Sequence, residues 1–337
     1  MTKHPANLYS IVADVGGTNT RVALYHGLDP VPETTRRYAN AEFPGLESVL
    51  RRYIADEGDV DCLAACVAVA GPVRDEKASL TNLDWTIDKP MLARATQAET
   101  VAILNDLQAQ GHALGHVAED NLREILPSPS KNPHAAKMVI GIGTGFNAAP
   151  VFETEVGRLV TPSESGHQNL PVRSDADMRL ANYVATAHGF PAVEDVLSGR
   201  GLEHVYAWLG VEAGDPVEKS AHQVMTAFQE GSDDRATEAV RVFARFLGTV
   251  AGNLALINLP FGGVYLAGGM AQAMAPYLAQ YGFIDAFRDK GRFAGFMSNF
   301  GVSVIEDDYA ALIGSAAHLK ALRTTTLGAE GGARPGI

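Results

Sequence analysis

An aspartate closing an apolar run, then two glycines, a threonine and an asparagine, is an order of residues that can grip a phosphate, and Asp14, Gly16, Gly17, Thr18 and Asn19 supply it. Glycines at the turn let backbone amides approach phosphate oxygens with no Cβ in the way. Asp14 is placed to hold a hydrated Mg²⁺, Thr18 and Asn19 to donate to phosphate, and Arg21 to balance its charge. The competing interpretation of this segment alone is an ordinary hairpin with a Gly-Gly turn.

Three further segments carry chemistry. Residues 100–106 form an apolar run ending in Asn105 and Asp106. An aspartate there can take the proton of a sugar hydroxyl as it attacks a γ-phosphorus, and Asn105 can orient a neighbouring hydroxyl. The same pair also serves as a helix cap or turn. Glu164 and His167 lie three residues apart in a loop with Pro162, Ser163, Ser165 and Gly166, so the pair is either solvated or aimed at a polyol. Metal ligation by this spacing would need a helix and a matching second motif, and neither is evident. Glu194, ahead of Leu197, Ser198 and Gly199, reads in isolation as a solvated surface glutamate. Gly268 and Gly269 close an apolar run from Gly262, either letting a flat adenosine lie against backbone or making a tight strand-to-helix turn.

The elements that would position these residues show as apolar runs at 8–15, 21–26, 62–70, 100–104 and 138–142, with helix patterns between them. A hairpin first and crossovers later predict a mixed sheet. Helical spacing recurs at 45–55, 177–187, 236–256 and 271–286, residues 127–133 form a polar turn-rich loop, and residues 324–337 are expected to be disordered. Gly143, Thr144 and Gly145 follow the run at 138–142 much as the first glycine loop follows its own strand, so the chain holds two such turns. A P-loop motif is absent, and the glycines at 141 and 143 lack the third one at 146 that a dinucleotide fingerprint needs.

The 337 residues are 46% hydrophobic and 20% charged, about two domains' worth of globular chain. With 27 basic against 39 acidic side chains and a net charge of −12, most of the surface repels nucleic acid and anionic membrane. Cys62 and Cys66 read as buried, reduced core residues, because four positions along a strand are too far for a disulfide. With no leader and no run of about 18 apolar residues, a cytoplasmic location is expected, with no membrane partner.

Taken in order, these segments resemble the bacterial glucokinases, in the group separate from the ROK kinases, within the actin-like ATPase and sugar kinase superfamily. The resemblance covers roughly residues 11–319. It rests on the loop at Asp14–Asn19, Ala70-Gly71-Pro72 with Thr81, Asn82 and Trp85, the Asn105-Asp106 pair, Gly143–Gly145, Glu164 with His167, Glu194 with Leu197–Gly199, and the glycine pairs at 262–263 and 268–269. ROK enzymes carry a Cys-rich zinc motif in mid-chain, whereas both cysteines here precede residue 70.

The resemblance implies an α/β chain with the two-domain actin-like ATPase/hexokinase (ribonuclease H-like) fold and an active-site cleft between the domains. Residues 1–112 with 307–323 would form the small domain and 113–306 the large one. It implies ATP-dependent phosphorylation of glucose at O6, with Asp106 as general base. Asn105, Asp106, Glu164, His167 and Glu194 would bind the hexose. Ala13, Asp14, Val15, Gly16, Gly17, Thr18, Asn19 and Arg21 would form the first phosphate loop, Gly143, Thr144 and Gly145 the second, and Gly268 and Gly269 would contact adenosine. Mg²⁺ would be held by Asp14, through water, and a homodimer is implied. Another hexose, a different phosphoryl donor (ADP or polyphosphate), or a sugar-responsive regulator are the alternatives; a DNA-binding regulator would append a basic helix-turn-helix, for which the start of the first strand leaves little room.

Two departures from the family pattern stand out. The second loop usually continues Gly-Thr-Gly-Leu-Gly, and here Phe146 and Asn147 replace the last two residues. Asn147 tolerates positive φ better than most residues, so the turn is expected to survive there. The sugar loop is usually Gly-Glu-Gly-Gly-His, and here Ser163 and Ser165 replace two glycines. Phosphate affinity and strict glucose preference are the properties these changes touch.

Overall fold

The computed structural model describes residues 4–80, 83–130 and 132–330, so Thr81 and Asn82 lie outside the described residues. Its residues fall into two compact units, 1–118 with 154–160 and 307–337, and 119–153 with 161–306.

The first unit is built on a sheet in which the hairpin strands Asn19–His26 and Tyr9–Val15 are followed by Cys62–Val69 and Thr100–Asn105. The hairpin is antiparallel, and the last three strands are parallel to one another. A parallel strand covered on both faces must be apolar throughout rather than alternating, which is why 62–69 reads as an unbroken run. Both thiols are buried on this strand, and burial pushes each of them up to about 12. The register sets Val15 beside Val69 and Val69 beside Asn105, so the strands end flush. With strands roughly 4.8 Å apart, Asp14 and Asn105 lie on one sheet edge about 10 Å from each other.

The two faces of this sheet carry different residues. Ile11, Ala13, Val15 and Val67 pack with Leu46, Leu50 and Tyr53 of the helix Leu46–Asp56 and Leu92 of Lys89–Thr96. The opposite face is mostly small, with Ala64, Cys66, Ala68 and Ala102 against Ala109, Ala311 and Ala316. Small side chains let two helices lie close, Asp106–Ala113 and Ala310–Glu330. At their crossing a Cβ on Gly314 would come within 1.8 Å of the Ala109 carbonyl oxygen, so only glycine fits. The last helix runs to Glu330, and residues 331–337 lie outside the described residues.

The sheet of the second unit runs Leu122–Leu126, Val302–Ile305, Val264–Ala267, Lys137–Ile142, Phe146–Thr154. Its core is dominated by the 25-residue helix Asp234–Asn258, capped by the Asp233 carboxylate. That helix is long and apolar enough to cross a bilayer, but 72% of its apolar window is buried inside the protein, as befits a core helix. The helical pattern at 271–286 splits into Gly269–Met274 and Phe283–Arg288. Gly282, at φ 93°, starts the second piece, a conformation that side-chain periodicity cannot register.

Where the two close helices of the first unit meet, the His112 and His318 rings lie 4.5 Å apart between centroids. Burial, then the neighbouring His318 and Arg158, drives His112 down to about 3; burial, then Lys89, drives His318 down to about 4. Both imidazoles are therefore neutral when folded and bind protons near 6.5 when unfolded. Acid favours the unfolded chain from about pH 6.5 downward, by up to ~1.4 kcal/mol per pH unit for each ring. Thermal melts across pH 7 to 4.5 should show a fall in Tm that His318→Leu makes shallower; parallel curves for the two proteins would remove this pair as a cause.

Candidate functional site

In the first hairpin the Gly16 N–H donates to the Asn19 carbonyl at 3.0 Å, closing the turn. Asn40 fastens it from behind: Nδ2 donates to the Gly16 carbonyl at 2.8 Å, and Oδ1 accepts from the Thr20 hydroxyl at 2.8 Å. The Asn40 N–H donates to the Thr18 carbonyl at 2.9 Å. Three carbonyl oxygens that would repel an anion, those of Gly16, Thr18 and Asn19, are thus already tied to donors. Asn40 is buried and 24 positions from Gly16, and an asparagine between two alanines gave the sequence reading no reason to select it.

Asp14 and Arg21 are register partners across the hairpin. The guanidinium Nη1 stays 4.0 Å from the Asp14 carboxylate and donates instead to the Asp308 carbonyl at 3.0 Å. Burial pushes the Asp14 carboxyl above its ordinary value, with the Arg21 charge pulling it partly back. A carboxylate short of positive charge, reached by one arginine without a hydrogen bond, is a fitting partner for a hydrated dication.

On the same sheet edge Asn105 caps the helix Asp106–Ala113, its Oδ1 accepting from the Gln108 N–H at 2.8 Å while Gln108 accepts from the Asn105 N–H at 3.1 Å. The cap interpretation is correct for Oδ1, and Nδ2 is the group Asn105 can offer a ligand. Asp106 is the first helical residue, its Oδ1 accepting from the Leu107 N–H at 2.9 Å, in the field of the helix N-terminus. The far end of that helix is held by Arg158, which donates to the carbonyls of Gly111, His112 and Leu114 at 3.1, 3.0 and 2.6 Å.

The remaining site residues gather in the second unit. Gly143, Thr144 and Gly145 turn between paired strands, with the Gly143 N–H donating to the Gly145 carbonyl at 2.9 Å. The Gly143 carbonyl accepts from the Gly199 N–H at 2.8 Å, at the start of the helix Gly199–Glu212. Glu194 is half-buried, correcting its interpretation as a solvated surface residue: Oε2 accepts from the Phe146 N–H at 2.9 Å. Arg200 lies 3.7 Å from its other oxygen. The sugar-loop candidate is a 3₁₀ turn, Ser165–His167, with the His167 N–H donating to the Glu164 carbonyl at 3.1 Å. Both Glu164 and His167 are exposed. Gly268, at φ 98°, follows Ala267, whose strand partner is Gly141, so the Gly268-Gly269 turn adjoins the end of the strand leading into the second loop.

Asn147 differs from expectation. It is an extended residue of the strand Phe146–Thr154 with no positive φ, and its side chain supplies the structural role. Oδ1 accepts from the Ser165 N–H at 2.9 Å and the Ser165 hydroxyl at 3.1 Å, while Nδ2 donates to Glu164 Oε2 at 3.1 Å.

The family model for glucokinase matches residues 11–322. The chain is 33% identical over 330 residues to glucokinase of Sinorhizobium fredii, covering 97% of each protein. It is 30% identical to glucokinase of Rhizobium johnstonii, over 92% of this chain and 91% of that one. The crystal structure of glucokinase from an Antarctic psychrotroph superposes with a TM-score of 0.83 at 29% identity, covering 93% of this chain and 98% of that one.

The clasp around Asn40 makes a prediction of its own. Asn40→Ala strands the Gly16 carbonyl and the buried Thr20 hydroxyl while keeping the backbone bond to Thr18, which should cost about 1–3 kcal/mol. The variant should melt several degrees lower, and the Gly16 amide should exchange faster with deuterium; unchanged exchange at Gly16 would mean the turn holds itself.

Proposed function

The chain belongs to the glucokinase family and is a glucose-phosphorylating enzyme, and from that premise we propose that it moves the γ-phosphoryl group of ATP to O6 of glucose with Asp106 as general base. The fold is that of the actin-like ATPases and sugar kinases. The observation that carries the assignment is Asp106 itself: a carboxylate on the first turn of a capped helix, on the sheet edge that also ends in the Asp14 loop. In the proposed step Asp106 takes the O6 proton, O6 forms a bond to the γ-phosphorus, and the bond to the β-phosphate oxygen breaks to release ADP. Asp106 later returns its proton to solvent.

Asn105, through Nδ2, and Glu164, His167 and Glu194 are assigned to the ring hydroxyls. A carboxylate accepts from a hydroxyl more strongly than a neutral group, and two acidic acceptors suit a polyol. Residues 13–19 with Arg21 are assigned to one set of phosphate oxygens, Gly143–Gly145 to another, and Gly268-Gly269 to adenosine. Asp14 would hold Mg²⁺ through water, and the ion would neutralise phosphate charge. Its fit rests on the carboxyl that burial pushes up and that Arg21 satisfies only in part. Placement in the group separate from the ROK kinases is supported by the cysteines, both of which precede residue 70. A homodimer and a cytoplasmic location are proposed with the family.

A coupled assay with Mg-ATP should show turnover of glucose above mannose, fructose, glucosamine and N-acetylated hexosamines, and above ADP or polyphosphate as donor; preference for another sugar would keep the reaction and move the specificity. Asp106→Ala should lower kcat about 10²–10⁴-fold with nucleotide affinity almost unchanged. An undiminished rate would take Asp106 out of its role. Glu164→Gln should chiefly raise the glucose KM.

A further inference from the structure

Glu164 is an exposed carboxylate on a short turn, and a free glutamate of that kind spreads over many rotamers. Here it is not free. The Asn147 amide lies between the backbone of the turn and the carboxylate. Its orientation is determined by chemistry: Oδ1 faces two backbone N–H groups, of Ser165 and Ala148, both at 2.9 Å, and an N–H can only donate. The NH₂ group must then face the other way, where it meets Glu164 Oε2 at 3.1 Å. Two serine hydroxyls crowd the same amide oxygen, Ser165 Oγ and Ser163 Oγ at 3.1 Å each, and Ser163 also donates to the Ala148 carbonyl at 2.7 Å.

We propose that Asn147 is a positioning residue for glucose binding: braced by Ser163 and Ser165, it selects the rotamer in which Glu164 meets the sugar. The inference rests on the assignment of Glu164 to the hexose. Asn147 acts only through Glu164, by removing rotational freedom before the sugar arrives and leaving Oε1 directed at the ligand. The strand that carries Asn147 begins one residue after Gly145, so the same short segment turns the second glycine loop and orients a sugar carboxylate.

The test is a double-mutant cycle read by equilibrium glucose binding and by steady-state kinetics. Asn147→Ala should raise the glucose Kd and KM about 10-fold with kcat changed less than about 3-fold, the size expected from freeing one glutamate side chain. In a Glu164→Ala background the same replacement should change nothing further. Because Asn147→Ala also strands the Ser165 N–H, Asn147→Asp serves as the second variant. It keeps the acceptor for Ser165 and sets a carboxylate against Glu164, so its Tm should stay near wild type while glucose binding weakens. The ratio of its Kd to that of wild type should shrink from pH 7.5 to 5.5, as the two carboxylates come to share a proton. Equal losses for Asn147→Ala with and without Glu164 would mean that Asn147 contacts the sugar itself or merely holds the fold, and would overturn the proposal. A Glu164→Ala protein with wild-type glucose affinity would instead overturn the assignment of Glu164 and this inference with it.

Discussion

The second unit's site depends on one close approach: a Cβ on Gly166 would sit 2.1 Å from the carbonyl oxygen of Phe146. No side chain survives that distance, so the turn bearing Glu164 and His167 can press against the strand leaving the second glycine loop only because residue 166 has none. The contact is tightened by hydrogen bonds on either side. Gly166 accepts from the Glu194 N–H at 2.9 Å, and Glu194 in turn accepts from the Phe146 N–H. The Phe146 peptide therefore meets the Ser165–His167 turn through its oxygen and Glu194 through its nitrogen. The second glycine loop, the turn bearing Glu164 and the Glu194 side chain therefore cannot shift independently, and on the proposed assignment that mutual fixing is the preorganisation an in-line transfer requires.

The first unit reaches a comparable rigidity by other means. Its loop is held by a side chain from elsewhere in the chain, Asn40, and Asp106 by secondary structure: a flush strand register, a capping box at the start of the helix, and the Arg158 clamp at its end. Small residues beneath that helix matter as much as the cap. The alanine-rich face and Gly314 bring the last helix of the chain against the one that begins with Asp106, so its axis is set by close backbone packing rather than by long, adaptable side chains.

What could be read from the sequence follows from the range of each interaction. The parallel strands were legible because burial on both faces writes an unbroken apolar run, and the two glycine loops were legible because turn chemistry is local. The clasp by Asn40 and the Glu194 contact to Phe146, spanning 24 and 48 positions, leave no periodic trace. Asn147, Ser163 and Ser165 are the most instructive case. Taken singly they are departures from a glycine pattern, each to be weighed for its effect on a turn. In space they are one hydrogen-bonded unit, with hydroxyls and amide supplying the order that the family pattern seeks from glycine. The helix break before Gly282 escapes the sequence for a different reason: composition alone does not distinguish a turn inside an apolar stretch from a continuous helix.

A protein of net charge −12 that binds a polyanion has to make its attraction locally. Arg21 is tied to the Asp308 carbonyl and Arg200 reaches toward Glu194, so neither offers a fully free guanidinium. On the proposed assignment each glycine turn would draw phosphate through its backbone N–H groups, and in the first turn the carbonyls already bound to Asn40 and Gly16 would not oppose it. Backbone dipoles act over short distances and lose little strength to salt, unlike a basic patch. On the proposed assignment the Asp14 carboxyl, which burial pushes above its ordinary value and Arg21 satisfies only in part, would suit a nucleotide already partly neutralised by a cation.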